Sequence, residues 1–193
     1  MIRIATTDDI PQILAIYGPY IEHSTASFEY TVPTEQAFRE RFLRITKQFP
    51  WLVWEEEGRI LGYAYASRPF ERAAYQWCAE DSLYLLPQAQ GKGIGKKLLT
   101  ALEKILTYQG YRVVYAIITS ENERSLAFHR RCGYAFLAEM PHCGVKFGKS
   151  LGIVWMEKRL SSVEIPSNAP FSWPEIGQNE RSFSDILDIL SLS

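Results

Sequence analysis

The stretch "LYLLPQAQGKGIGKKLL", residues 83–99, limits the folds open to this chain more than any other. An apolar run of strand type stops at Pro87, glycines alternate at 91, 93 and 95, and an apolar stripe of helical period begins at once. Strand, glycine loop and helix in direct succession point to helices packed on a sheet. The loop also has a chemical consequence. Glycines let backbone N–H groups approach an anion closely, and a helix N-terminus directs partial positive charge at it. Lys92, Lys96 and Lys97 add charge, so a pyrophosphate is the natural guest. Two better-known loops do not fit. A Walker loop needs G-x-x-x-x-G-K-[ST], whereas Lys96 is followed by Lys97 and no hydroxyl. A dinucleotide fingerprint needs G-x-G-x-x-G, and the pattern is G-x-G-x-G.

The rest of the chain supplies a sheet and its helices. "IRIA" predicts a short strand, and Thr7 a cap for a helix carrying Ile10, Ile13, Leu14, Tyr17 and Ile21. "STASFEYTVP" predicts a loop, and Thr34 caps a helix with Phe38, Phe42 and Ile45 on one face. "PWLVWEEEGRILGYAYASRP" predicts a hairpin around "EEEGR". A strand over Cys78–Leu86, a helix over Gly93–Gln109, the buried strand "RVVYAIIT" and the short helix "NERSLAFHRRCG" follow. "YAFLAEM" and "GIVWMEKRL" close the sheet. The order predicts an α/β (α+β) domain over 1–160, with helices flanking a mixed central sheet. Residues 161–181, rich in Ser, Pro and Asn, read as a linker. Residues 182–193 read as a short amphipathic helix opened by Ser182 and Asp185, either a frayed end or a tail docked on this domain or a neighbouring subunit.

Charge and composition remove several functions. With 21 basic and 22 acidic side chains, nucleic acid is not an expected partner. No apolar run reaches the roughly 18 residues of a membrane span, and "MIRIATTDD" lacks the pattern of a signal peptide. Three cysteines cannot all pair within one chain, which fits reduced thiols in a cytoplasmic protein. His129 with Cys132, and His142 with Cys143, lack the paired spacing of a zinc site, so no metal is expected.

"QGKGIG", Gln90 to Gly95, resembles the Q/R-x-x-G-x-G/A signature of the GNAT acetyltransferases. "STASFEY", "PWLV", "AYQWCAEDSLYLLP", "ITSENERSLAFHRRCGY" and "GVKFG" narrow the likeness to their phosphinothricin acetyltransferase branch, over residues 2–160. The resemblance implies the GNAT acyl-CoA N-acyltransferase fold and an acetyl-CoA-dependent N-acetyltransferase. The expected acceptor is a small amino-acid-like amine: phosphinothricin, methionine sulfoximine or sulfone, or a relative. It also implies a homodimer. A protein or peptide N-acetyltransferase and a non-catalytic acyl-CoA-binding module are the other readings of such a chain.

The resemblance assigns roles residue by residue. The cofactor is held by Gln90, Gly91, Lys92, Gly93, Ile94, Gly95 and Lys96, and its arm by the backbone of Leu83, Tyr84 and Leu85, as an added strand would be. Asn122 bonds the same arm; as an N-cap it also suits the helix that follows. Within Trp77, Glu80, Ser82 and Tyr84, Glu80 is the base, and His129 is the acid for the leaving thiolate. Strand alternation gives Glu80 and its neighbour Asp81 opposite faces but leaves open which face holds the site. Arg72 suits a substrate carboxylate, and Phe28, Tyr30, Tyr75, Trp77 and Lys146 complete the expected acceptor pocket. Ser150 and Gly152 depart from the family pattern K-x-G-x-W-x-D, which predicts weaker activity on phosphinothricin than the branch name implies.

Overall fold

The computed structural model describes residues 1–174 and Asp188. Apart from Asp188, the helix expected over 182–193 lies outside the described residues, as does the end of the expected linker. Seven strands form one sheet: β1 (Ile2–Ile4), β2 (Trp51–Glu56), β3 (Arg59–Ser67), β4 (Cys78–Leu85), β5 (Val113–Thr119), β6 (Ala135–Lys146) and β7 (Lys149–Arg159), in the order β1-β2-β3-β4-β5-β7-β6. The longer helices are α1 (Ile10–His23), α2 (Glu35–Ile45), α3 (Ile94–Gln109) and α4 (Glu123–Arg131).

Two apolar layers hold the sheet between its helices. Leu98, Leu102, Ile105 and Leu106 of α3 are buried with Leu52, Ala64, Val114 and Met156 of the sheet. On the other face Ile13 and Tyr17 of α1 and Phe38 and Phe42 of α2 close over Trp51, Val53 and Tyr63. The predicted stripes therefore face the sheet, where burying each large side chain contributes about 1.5–3 kcal/mol.

Thr34 caps α2 as expected, its hydroxyl accepting from the Ala37 N–H at 3.2 Å. The first helix starts differently. Thr6, not Thr7, holds the entry, its N–H donating to Asp9 Oδ2 at 2.7 Å, and a 3-10 turn over Thr7–Asp9 precedes α1. Asp9 is drawn there by Arg3, 2.7 Å away. The strand expected to end near Met140 continues to Lys146 through two register shifts, because it folds back on β7 at Phe147 and Gly148, both at positive φ.

The described part of the expected linker, 161–174, packs on the domain. The Phe171 N–H donates to Gln109 O (2.9 Å), the Trp173 N–H to Gln48 O (3.1 Å), and Trp77 Nε1 to Asn168 O (3.0 Å). Trp173 packs on the α3 core, so one half-buried ring fixes an otherwise polar strap.

Candidate active site

The site originates where two strands part. β4 and β5 pair in parallel only through Cys78↔Val113, Ala79↔Val114 and Glu80↔Tyr115. Beyond Glu80 the β5-side edge of β4 has no strand partner, and a cavity of about 1010 Å³ opens between Asp81–Leu85 and Ala116–Thr119. Tyr20 of α1 ends this open edge, its hydroxyl donating to Leu85 O at 2.6 Å and accepting from Gln90 Nε2 at 3.1 Å.

The glycine loop closes one end of the cavity. Gly91 (φ +78°) and Gly93 (φ +83°) are left-handed, a region L-residues enter at a cost, and a Cβ on either would meet nothing within 4 Å. Gly95 is needed for space: its Cβ would stand 3.2 Å from the side chains of Leu83 and Leu85. Two glycines thus shape the backbone and the third lets α3 approach β4. Gln90, Gly91, Gly93, Gly95 and Lys96 line the cavity, and Arg124 of α4 reaches over to bond Gln90 Oε1. Lys92 is exposed outside the wall, and Ile94 is buried in the core. Asn122 lines the cavity and also caps α4, accepting from the Ser125 N–H at 3.1 Å.

Strand alternation sorts the two carboxylates. Leu83 and Leu85 pack on the α3 side, and Asp81 shares their parity, with Oδ2 3.2 Å from His129 Nε2 on α4. Tyr84 faces α1, its ring 4.9 Å from Tyr17, and Glu80 shares that side with Ser82, which pairs with Tyr65 of β3. Burial, and then the charge of Asp81, push the Glu80 carboxyl up to about 7. His129 behaves in the opposite sense to its burial. Desolvation alone would lower it, but the hydrogen bond and charge of Asp81 outweigh that and raise it. Its Nδ1 lies 2.8 Å from the Ser125 carbonyl, which can only accept, so both ring nitrogens face acceptors and suit the imidazolium.

The far wall is the loop after α1. Phe28 fits against Gly144, where a Cβ would stand 2.3 Å from the ring. Lys146 holds the loop, its buried amine donating to Ser24 O (3.0 Å) and Ser27 O (2.6 Å). Glu29, also in the wall, is fixed by Arg41 (2.6 Å) and the Tyr17 hydroxyl (3.0 Å).

Of the expected acceptor residues, Phe28 lines the cavity and five others stand outside its wall. Lys146 is occupied beneath the loop, and the Tyr30 hydroxyl donates to Val145 O at 2.6 Å. Arg72 opens the 3-10 turn Ala73–Tyr75, Tyr75 packs on Phe70 at 4.8 Å, and Trp77 holds the strap. Sequence reasoning missed Tyr20, Glu29, Tyr65 and Arg124 in the wall, and Asp81 as the partner of His129. Parity with Leu83 and Leu85 was the one available signal, and it concerned Asp81. Among the described residues no group of three or more His, Cys, Asp or Glu side chains could hold a metal ion.

Comparison with known proteins fits this arrangement. Residues 15–134 match the model of the acetyltransferase (GNAT) family. The chain belongs to that family. It is 36% identical over 163 residues to a phosphinothricin N-acetyltransferase of Alcaligenes faecalis, covering 83% of each chain. It is 38% identical over 164 residues to an L-methionine sulfoximine/L-methionine sulfone acetyltransferase of Pseudomonas paraeruginosa, covering 82% of this chain and 94% of that one. The crystal structure of a GNAT superfamily phosphinothricin acetyltransferase from Sinorhizobium meliloti, in complex with AcCoA, superposes with a TM-score of 0.82 at 36% identity, covering 91% and 96% of the two chains. The GNAT fold expected from the sequence is therefore the fold observed.

Proposed function

We propose that this member of the GNAT family is an acetyl-CoA-dependent N-acetyltransferase acting on the α-amine of a small amino-acid-like acceptor. One observation carries the reading. A carboxyl raised to about 7, Glu80, stands where β4 leaves β5, on the same gap that ends at the glycine-shaped start of α3. The residues fit acetyl-CoA. Left-handed Gly91 and Gly93 and the α3 N-terminus suit a pyrophosphate, and the unpaired edge of β4 suits an amide-bearing arm. Bound there, acetyl-CoA supplies the activated acetyl group.

Glu80 takes the proton of the acceptor ammonium, leaving a free amine. The C–N bond forms at the thioester carbon, whose oxyanion is met by a backbone N–H on the open edge of β4, and the nitrogen then releases its second proton to solvent. The C–S bond then breaks, and His129 supplies the proton for the leaving thiolate. Its bond to Asp81, at 3.2 Å, is longer than the roughly 2.7–2.9 Å of a tight ionic hydrogen bond, so a developing thiolate competes for that proton.

The relatives' names favour phosphinothricin, methionine sulfoximine and methionine sulfone as acceptors. Gly152 narrows that choice. A Cβ there would lie 3.1 Å from Met140 O and Ser120 Oγ, so the crowded backbone beside the cavity leaves little room for the carboxylate usual in the branch, and Ser150 bonds His142 at 3.0 Å. We expect methionine sulfone to be preferred to phosphinothricin. The test is thiol release in steady state across amino acids, both sulfur analogues, phosphinothricin and short peptides. A clear preference for phosphinothricin overturns the acceptor order, and no release with any amine overturns the activity.

A homodimer in the cytoplasm completes the proposal. β6 ends the sheet with Phe136, Leu137, Met140 and Val145 exposed, an apolar edge that a second copy would cover, and all three thiols are free. Sedimentation as a monomer at micromolar concentration would remove the dimer.

A further inference from the structure

Behind His129 lies a group of buried polar side chains that the reaction above does not use. Asp81 gives one carboxylate oxygen to His129, and its other oxygen, Oδ1, is buried without a well-formed hydrogen bond. Glu103 of α3 repeats the pattern: Oε2 accepts from Lys158 of β7 at 2.6 Å, and Oε1 is buried and unsatisfied. Tyr134, which follows α4, is 3% exposed, and its hydroxyl is the third buried group without a well-formed bond. Its ring meets the edge of the His129 ring at 5.1 Å, and Lys158 stands 5.7 Å from the ring centre on the way to Cys132 O. Two unsatisfied carboxylate oxygens therefore flank one phenol, and that phenol carries one proton. Burial first, then the charges of Asp81 and Glu103, hold that proton on the oxygen, so Tyr134 stays a neutral donor.

We propose that Tyr134 is a positioning residue for the transfer reaction: its hydroxyl lies against both Asp81 and Glu103 and decides how firmly Asp81 holds the proton of His129. The inference rests on His129 acting as the acid. A carboxylate that accepts a second hydrogen bond spreads its charge and pulls less on the imidazolium. When His129 gives up its proton, Asp81 becomes an uncompensated buried anion, and the phenol is then the donor that stabilises it. Glu103 acts in the opposite sense. Its charge adds to the pull on His129, and Lys158 offsets part of it. The titratable groups around the imidazole are thus Asp81 from β4, Glu103 from α3, Lys158 from β7 and Tyr134; on α4 the neighbour of the ring is Ser125.

The two partners predict shifts of opposite sign, which a packing role would not produce. NMR titration of the full chain follows the His129 ring, assigned by its loss in His129→Gln. In Tyr134→Phe the His129 midpoint moves to higher pH, and in Glu103→Gln to lower pH. The kcat of Tyr134→Phe falls about five- to tenfold, the worth of one hydrogen bond, with KM for acetyl-CoA unchanged. If His129 titrates in both variants as in the native chain, Tyr134 is packing alone and the proposal is wrong. A shifted titration with unaltered kcat supports the network and instead removes His129 as the acid. Should Tyr134→Phe not fold, the hydroxyl proton of Tyr134 in the native chain carries the test: a downfield, exchange-protected resonance supports the proposal and a freely exchanging one overturns it.

Discussion

Glu80 and Asp81 are adjacent on β4 and serve opposite faces of the sheet. Asp81 meets His129 of α4 at 3.2 Å, and Glu80 faces the layer of α1 and the loop that follows it. A strand sends successive side chains to opposite sides, so one residue step separates the side proposed for the acceptor from the side proposed for the thiolate.

Glu80→Gln removes the proposed base and leaves the loop intact. We expect kcat to fall by about 10²-fold or more, with acetyl-CoA binding measured by calorimetry unchanged. In the native enzyme kcat/KM should rise with pH through about 7, as the Glu80 carboxyl loses its proton. That limb should be missing in the variant.

The same carboxyl works against stability. Its folded-state value, about 7, lies above the unfolded 4.5, so its contribution to stability is fully present below pH 4.5 and is lost as pH rises through 7. Glu80→Gln should therefore be more stable than the native chain at pH 8, by on the order of 2 kcal/mol, and show no advantage below pH 4. Melting at the two pH values checks the sign.

Gly93→Ala tests the loop backbone. Alanine at φ +83° costs about 1 kcal/mol and tilts the first N–H groups of α3, so acetyl-CoA affinity should drop about tenfold while the fold persists. Gly95→Ala acts by another route, pressing on Leu83 and Leu85, and should lower the melting temperature. Calorimetry and melting curves on both variants separate the two causes.

Gly144→Ala forces the Phe28 ring to move, since the new methyl would stand 2.3 Å from it. The wall proposed for the acceptor shifts and the glycine loop does not. Acceptor KM should rise severalfold with KM for acetyl-CoA unchanged; equal effects on both would mean that Phe28 does not border the acceptor.

Truncation after Leu160 removes the docked strap and Trp173 with it. The melting temperature should fall by at least about 3 °C, the scale of losing 1 kcal/mol from a chain of this size. Trp77→Phe should cost less, losing only the bond to Asn168, and should leave acceptor KM unaltered.

The sequence alone settled what short-range physics controls. Helical spacing of Phe38 and Phe42, the Thr34 cap and the strand-glycine-helix order each depend on neighbours a few residues away, and each appears in the structure where expected. The family pattern rested on the same local stretches. What depended on distant contacts was not legible. Trp77 read as a pocket residue for its aromatic ring and Lys146 for its place in the family pattern, yet Trp77 bonds Asn168, 91 positions away, and Lys146 bonds Ser27, 119 away. The pairing of Asp81 with His129 spans 48 positions, and alternation could say only that Asp81 and Glu80 part company. Which face each one joined was decided by where α4 and the loop after α1 pack on the sheet, because only tertiary packing sets burial and charge around a side chain.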